Sequence, residues 1–166
     1  MSLGGVLTYH VTGWLLVGVP HESRRFLNDF ARESGSMRGL ILIIDDDFQI
    51  PGVLRARLNT IGFYVVWVHV VTILGNQWVK KSSFDGIILN IDMRHHDGMA
   101  VLQSLYKQHV AIPIIVVSHA PARERLEEGM RKGARDYIVS PFDTDLLREK
   151  CLRHFQMPDA IPHGPA

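Results

Sequence analysis

The sequence holds one cysteine, Cys151, in 166 residues. A single thiol excludes an internal disulfide framework and fits a reducing cytoplasm. Cys151 falls among the apolar positions of a helical pattern and reads as a buried structural thiol rather than a reactive one. An excess of charge of one sign is also lacking. Eighteen Lys and Arg against 17 Asp and Glu leave a formal net charge of +1, which gives no global attraction to nucleic acid or to an anionic membrane. Long hydrophobic runs are absent. The most apolar stretches, 40–44, 65–73 and 112–117, fall far short of the ~20 residues a membrane-spanning helix needs. Segment 11–19 is apolar but lacks the basic start of a signal peptide. No glycine-rich phosphate loop occurs, because Gly4-Gly5 precedes an apolar stretch instead of following a strand. Repeats and low-complexity tracts are missing as well. What is present is an apolar fraction of 46%, enough to bury an ordinary core, and a length that suits one domain plus an extension.

From residue 39 onward, strand and helix patterns alternate. Residues 40–44 form a continuous β-branched apolar run, as expected of a strand buried on both faces. Residues 49–60 follow a helical period that places Val53, Leu54, Leu58 and Ile61 on one side, with Gly62 as the stop. A second strand is predicted over 63–70, a weak helix over 72–81 and a third strand over 87–91. A helix over 99–108 has Val101, Leu102, Leu105 and Tyr106 as its apolar positions. A fourth strand over 112–117, a charged helix over 122–132, a fifth strand over 137–139 and a final helix over 143–155 capped by Asp143 complete the pattern. Five strands alternating with five helices imply a doubly wound α/β fold, a parallel sheet covered on both sides. Ligands in such folds bind beyond the carboxyl ends of the strands, where Asp45, Asp46, Asn90, Ser118 and Ser140 would converge. Residues 1–38 read differently, as a strand–helix extension and linker that cannot bury enough surface to stand alone. Residues 156–166, rich in proline, read as a tail or linker.

Several residues at strand ends form a recognisable set. Asp45-Asp46 follows the first strand, and 44 positions separate Asp46 from Asn90 at the end of the third. Asp97-Gly98 marks the loop beyond it. Ser118 ends the fourth strand, Tyr137 begins the fifth, and Pro141-Phe142 follows. Over about residues 39–155 this set resembles the receiver domain of bacterial response regulators. The resemblance implies a flavodoxin-like five-stranded sheet in the order 2-1-3-4-5 and a cis peptide before Pro141. It also implies a strand-end aspartate that takes a phosphoryl group from a histidine kinase, and a magnesium ion held by the acidic pair and that aspartate. Ser118 and Tyr137 fall at the family's switch positions. The face built from the fourth helix, fifth strand and fifth helix falls at its usual partner surface.

The departures from the family pattern carry the functional expectation. Asn90 stands at the phosphoacceptor position, and an amide lacks the anionic nucleophile that acyl phosphate formation needs. Ser140 stands where the family has the lysine that pairs with the phosphoryl group as a point charge. The two losses match: three carboxylates with one lysine, and two carboxylates with none, both carry about −2, so no uncompensated buried charge is added. Mg²⁺ binding is then weak at most, because one carboxylate ligand is gone. His119 follows the switch hydroxyl, where a small residue is usual, and either plugs the pocket or swings into solvent. Asp92 is a candidate substitute acceptor, although it lies in the loop and no lysine faces it.

Other features have plainer readings. His95 and His96 with Asp92 and Asp97 have no zinc spacing and read as a solvated loop. Arg123, Glu124, Arg125, Glu127, Glu128, Arg131 and Lys132 read as a solvent face with i,i+4 pairs. Trp14, Trp67 and Trp78 read as core or interface anchors. The expectation is a non-enzymatic, cytoplasmic pseudo-receiver that works by protein interaction or self-association without phosphorylation, as one module of a larger signalling protein. It contacts neither nucleic acid nor membrane, and it has no resident cofactor. The alternatives are a phospho-accepting receiver, with Asn90 an engineered replacement of aspartate or Asp92 substituting for it, and a small-ligand sensor in the vacated acidic pocket.

Overall fold

A computed structural model describes residues 38–47, 49–70, 79, 84–119 and 122–155. The expected extension before Arg38, the tail after Phe155, Trp14, Trp78 and all of the weak helix over 72–81 except Val79 lie outside the described residues. In chain order the elements are β1 (Gly39–Asp45), α1 (Gln49–Thr60), β2 (Phe63–His69), β3 (Gly86–Asn90), α2 (Gly98–Lys107), β4 (Ile114–Ser118), α3 (Arg123–Arg131), β5 (Asp136–Val139) and α4 (Thr144–His154). All five strands are parallel, in the order β2-β1-β3-β4-β5. This is the expected doubly wound, flavodoxin-like sheet.

Strand parity divides the core into two layers. Successive side chains point to opposite faces, so in β1 Leu40, Leu42 and Ile44 enter one cluster while Ile41 and Ile43 enter the other. The first layer joins them to Ile87 and Leu89 of β3, Val116 of β4 and Leu102 and Leu105 of α2. The second gathers Ile88, Ile115, Val117 and Ile138 under Leu54 and Leu58 of α1 and Leu147 and Cys151 of α4. Each fully buried Leu or Ile contributes roughly 1.5–3 kcal/mol by leaving water. Cys151 is structural, as expected, and burial pushes its thiol up to about 12.

Two apolar positions of the helical patterns lie outside the core. Val53 is 52% exposed, because α1 turns Leu54, Leu58 and then Ile61 inward and leaves Val53 on the outer edge of the apolar stripe. Tyr106 is 61% exposed, at the edge of the face that Val101, Leu102 and Leu105 bury. A Cβ added to Gly133 would lie 2.5 Å from the Tyr106 ring, so the ring covers that glycine instead of entering the core. Trp67 is half-buried against the second layer, which fits an anchor.

Helix ends follow their expected chemistry. Asp143 accepts the Leu146 backbone N–H at 2.7 Å as the cap of α4. Asp97 caps α2 through the N–H groups of Met99 and Ala100. Gly62, with φ of +92°, ends α1 in a conformation that disfavours a side chain. The Ser140–Pro141 peptide is cis.

Gly86 begins β3 directly beneath Phe155, and an added Cβ would lie 2.3 Å from the ring. We expect Gly86→Ala to lower stability by about 1–3 kcal/mol through overpacking. The check is the urea midpoint, with the slope unchanged. Pairing it with Phe155→Leu should recover part of the loss.

Candidate functional site

The site lies at the carboxyl ends of β1, β3 and β4, where the strand order changes direction between β1 and β3. The register Ile44↔Leu89 sets Asp45 beside Asn90 on one face of the sheet. Asp45 is fully buried and Asn90 nearly so. The Asn90 amide nitrogen donates to both Asp45 carboxylate oxygens at 3.2 Å. Its amide oxygen accepts the Asp92 backbone N–H at 2.9 Å. Asp45 Oδ1 also accepts the backbone N–H groups of Asp46 and Asp47, at 2.7 and 3.2 Å. Burial nonetheless dominates and raises the Asp45 carboxyl above its ordinary value, against the hydrogen bonds from Asn90, Asp47 and Asp46 that lower it.

Asp46 does a different job. Its side chain is 1% exposed. Its carboxylate takes the backbone N–H of His95 at 2.6 Å and that of Arg94 at 3.3 Å, and His96 Nδ1 lies 3.4 Å away. Burial raises its carboxyl, but those hydrogen bonds outweigh burial and hold it below the ordinary value. The carboxylate therefore clamps the loop after β3. His95 is exposed, as a solvated loop requires. His96 is not simply solvated: it is half-buried and packs edge-on against His69 with ring centroids 5.7 Å apart.

Asp92 departs furthest from expectation. Its Oδ2 accepts the Ser118 hydroxyl at 2.7 Å and the His119 backbone N–H at 2.6 Å. Its Oδ1 lies 3.0 Å from Arg125 Nε. Residue 92 lies in the loop after β3, but its side chain is only 18% exposed and turns into the pocket, with an arginine rather than a lysine beside it. Arg125 also donates through Nη2 to the Ile91 carbonyl at 2.8 Å, which staples α3 to the end of β3. Its neighbours form the expected solvent pairs, Arg123 with Glu127 and Lys132 with Glu128, each at 2.7 Å. The signal that Arg125 differs was present: four residues on, where its neighbour Arg123 finds an acid, stands Gly129. His119 is exposed, and its N–H rather than its ring reaches the pocket. Of the two alternatives for its ring, the structure has the solvent one.

Residues 41–152 match the family model of the response regulator receiver domain. The chain belongs to that family. The transcriptional regulatory protein ZraR of Escherichia coli K12 is 31% identical over 123 residues, which cover 72% of this chain and 28% of ZraR. The probable C4-dicarboxylate response regulator DctR of Bacillus subtilis is 30% identical over 126 residues, 73% of this chain and 54% of DctR. This receiver chain thus spans about a quarter of one relative and about half of the other. The receiver domain of a Francisella response regulator superposes with a TM-score of 0.62 at 24% identity, covering 70% of this chain and 96% of that one. The receiver domain of a Pseudomonas aeruginosa sensor histidine kinase, solved with magnesium in its active-site cleft, gives 0.61 at 21% identity and covers 70% and 97%.

The donor set of this receiver does not fit magnesium as arranged. Mg²⁺ demands near-octahedral oxygen ligands at short distance. Here the Asp45 oxygens face an amide N–H, and the Asp46 oxygens face backbone N–H groups. Among the described residues no group of three or more His, Cys, Asp or Glu side chains is placed to hold a metal ion. Ser140 and Pro141 follow β5, and the Ser140 N–H bonds the Ser118 carbonyl at 2.8 Å. That bond ties the position of the family's lysine to the switch strand. Gly98 allows α2 to start against the same loop, since a Cβ there would lie 2.5 Å from Ile91 Cα.

Asp46→Ala should leave the Arg94 and His95 amides without their acceptor and cost about 1–3 kcal/mol. Hydrogen exchange at those two amides should accelerate. The folded carboxyl of Asp46 lies below its ordinary value of 3.8. The clamp is therefore fully present above that value and is lost as the pH falls through the lower folded value.

Proposed function

We propose that this chain is a pseudo-receiver: a receiver domain of a two-component system that acts by protein interaction, without accepting a phosphoryl group at Asn90. One observation carries the reading. The side chain at the phosphoacceptor position is an amide whose nitrogen and oxygen both serve as cross-links, to Asp45 and to the Asp92 N–H. An amide nitrogen has no lone pair available for attack on phosphorus, and an amide oxygen leads to no stable acyl phosphate. The absence of a lysine at Ser140 and the engaged carboxylates of Asp45 and Asp46 support the same reading.

In this reading Asp45, Asp46 and Asn90 form a structural cross-link, and Ser118 and Tyr137 are the elements of a two-state switch that a partner drives. The partner surface is the face of α3, β5 and α4. Tyr137 is 37% exposed there, with Lys150 Nζ 5.2 Å from its ring centroid, and Met130 is exposed nearby in sequence on α3. Lys150 and His154 both bind Asp136, at 2.7 and 2.8 Å, which fixes α4 against β5. A second copy or another signalling protein is the partner class. The domain is a binding module rather than a catalyst, residues 39–155 are its extent, and the cytoplasm is its compartment. No described helix is long and apolar enough to cross a membrane.

A second reading has Asp92 accepting the phosphoryl group, and the observation for it is the nearby Arg125. Against it, Asp92 Oδ2 already accepts two hydrogen bonds, which lowers its nucleophilicity.

Incubation of the chain with acetyl phosphate and Mg²⁺ should leave its intact mass unchanged. A mass gain of one phosphoryl group would refute the pseudo-receiver, and peptide mapping would then show whether Asp92 carries it. Asn90→Asp sets a third carboxylate beside Asp45. The variant should melt lower than the parent without metal and be stabilised by Mg²⁺, whereas the parent should show no Mg²⁺-dependent shift.

A further inference from the structure

Among the described residues, three donors of different origin converge on Asp92. A fully buried hydroxyl and a backbone N–H meet at Oδ2, and a guanidinium lies beside Oδ1. A hydroxyl, a main-chain N–H and an arginine around one point form an oxyanion receptor. The receptor does not arise from neighbouring residues alone, since β4 supplies Ser118, the turn after it supplies His119, and α3 supplies Arg125. A second observation shows that its capacity exceeds its occupant. Arg125 Nε is buried and makes no hydrogen bond of acceptable geometry, although it lies 3.0 Å from Asp92 Oδ1. The contact is therefore coulombic, and the N–H is not aimed at either carboxylate oxygen. A flat carboxylate has two oxygens to offer. A tetrahedral oxyanion has more and can satisfy a third direction.

We propose that Asp92 is a built-in anion: its carboxylate fills an oxyanion receptor formed by the Ser118 hydroxyl, the His119 N–H and Arg125, and so excludes inorganic phosphate from this pocket. This rests on the pseudo-receiver reading, in which no phosphoryl group is installed at position 90. Through Arg125 and its bond to the Ile91 carbonyl, the internal anion holds α3 and the end of β3 together. The elements that border the proposed partner surface are then fixed by a side chain that is always present. The site is specific for oxyanions, and its natural occupant is part of the chain.

The test compares the 166-residue chain with Asp92→Ala, Asp92→Asn and the double variant D92A/S118A. Each is melted in inorganic phosphate and in chloride at matched ionic strength. The parent should melt at the same temperature in both salts. D92A should melt roughly 4 °C or more lower in chloride and recover saturably with phosphate, and D92A/S118A should not recover. Asp92→Asn keeps the shape and removes the charge, so it serves if D92A does not fold. The His119 amide resonance should then move in its ¹⁵N spectrum. Equal phosphate responses of D92A and the parent, or an unmoved His119 amide in Asp92→Asn, would overturn the proposal. Either result without phosphorylation of the parent leaves the pseudo-receiver reading standing. A phosphorylated parent sinks that reading first.

Discussion

A buried carboxylate at the end of a central strand must be satisfied by donors or become protonated, and Asp45 meets that demand through Asn90. The amide fits because it is neutral and bifunctional. Its nitrogen reaches both Asp45 oxygens, and its oxygen takes the Asp92 N–H. An aspartate at position 90 would place two carboxylates side by side with no cation between them, at a steep cost in a site this dry. With the amide, the end of β1 is tied to the end of β3 and to the first turn of the following loop. Asp46 then fixes the rest of that loop by accepting the N–H groups of Arg94 and His95.

The charges of the pocket fall into separate groups as a result. Asp45 is satisfied by dipoles alone. Asp46 is held by backbone N–H groups with His96 at its edge. Asp92 has the cation, Arg125. In the family pattern the balancing charge is a lysine just after the fifth strand, where this chain has Ser140. Here the positive group comes from α3 instead, and it balances a carboxylate in the loop rather than a group on the strand. The matching of charges expected from Asn90 and Ser140 alone thus omitted one pair, which adds a negative and a positive charge and leaves the sum unchanged.

Much of the fold was legible because strand parity is a local property. The run at 40–44 predicted a strand buried on both faces, and its odd and even residues do enter different core layers. Asp143 as a cap and Gly62 as a stop were legible for the same reason, since each acts within one turn. The pattern is least informative where it meets an edge. Val53 and Tyr106 fall on the borders of their helical stripes, and whether a border residue is buried depends on what packs above it, which the local sequence does not encode. The site was legible in composition but not in connection. Asn90, Asp45 and Ser118 were placed correctly at strand ends. The partner of Asp92 was missed because Arg125 lies 34 residues beyond the Ile91 carbonyl it binds, inside a helix whose other charges pair along the helix.

That miss shows why an arginine in a charged helix cannot be read from its neighbours alone. Arg123 and Lys132 have acids four residues away and use them. Such exposed pairs contribute little, typically ~0.5 kcal/mol. Arg125 lacks an acid four residues on and turns toward the sheet, where the dielectric is lower and one guanidinium can serve both a carboxylate and a carbonyl. A lysine at that position would carry the charge but could not both face the carboxylate and donate to the carbonyl from separate nitrogens. The geometry favours arginine, and it joins α3 to the loop beside Asn90. In the pseudo-receiver reading proposed above, Arg125 and its partner Asp92 are the link between the pocket and the α3 face.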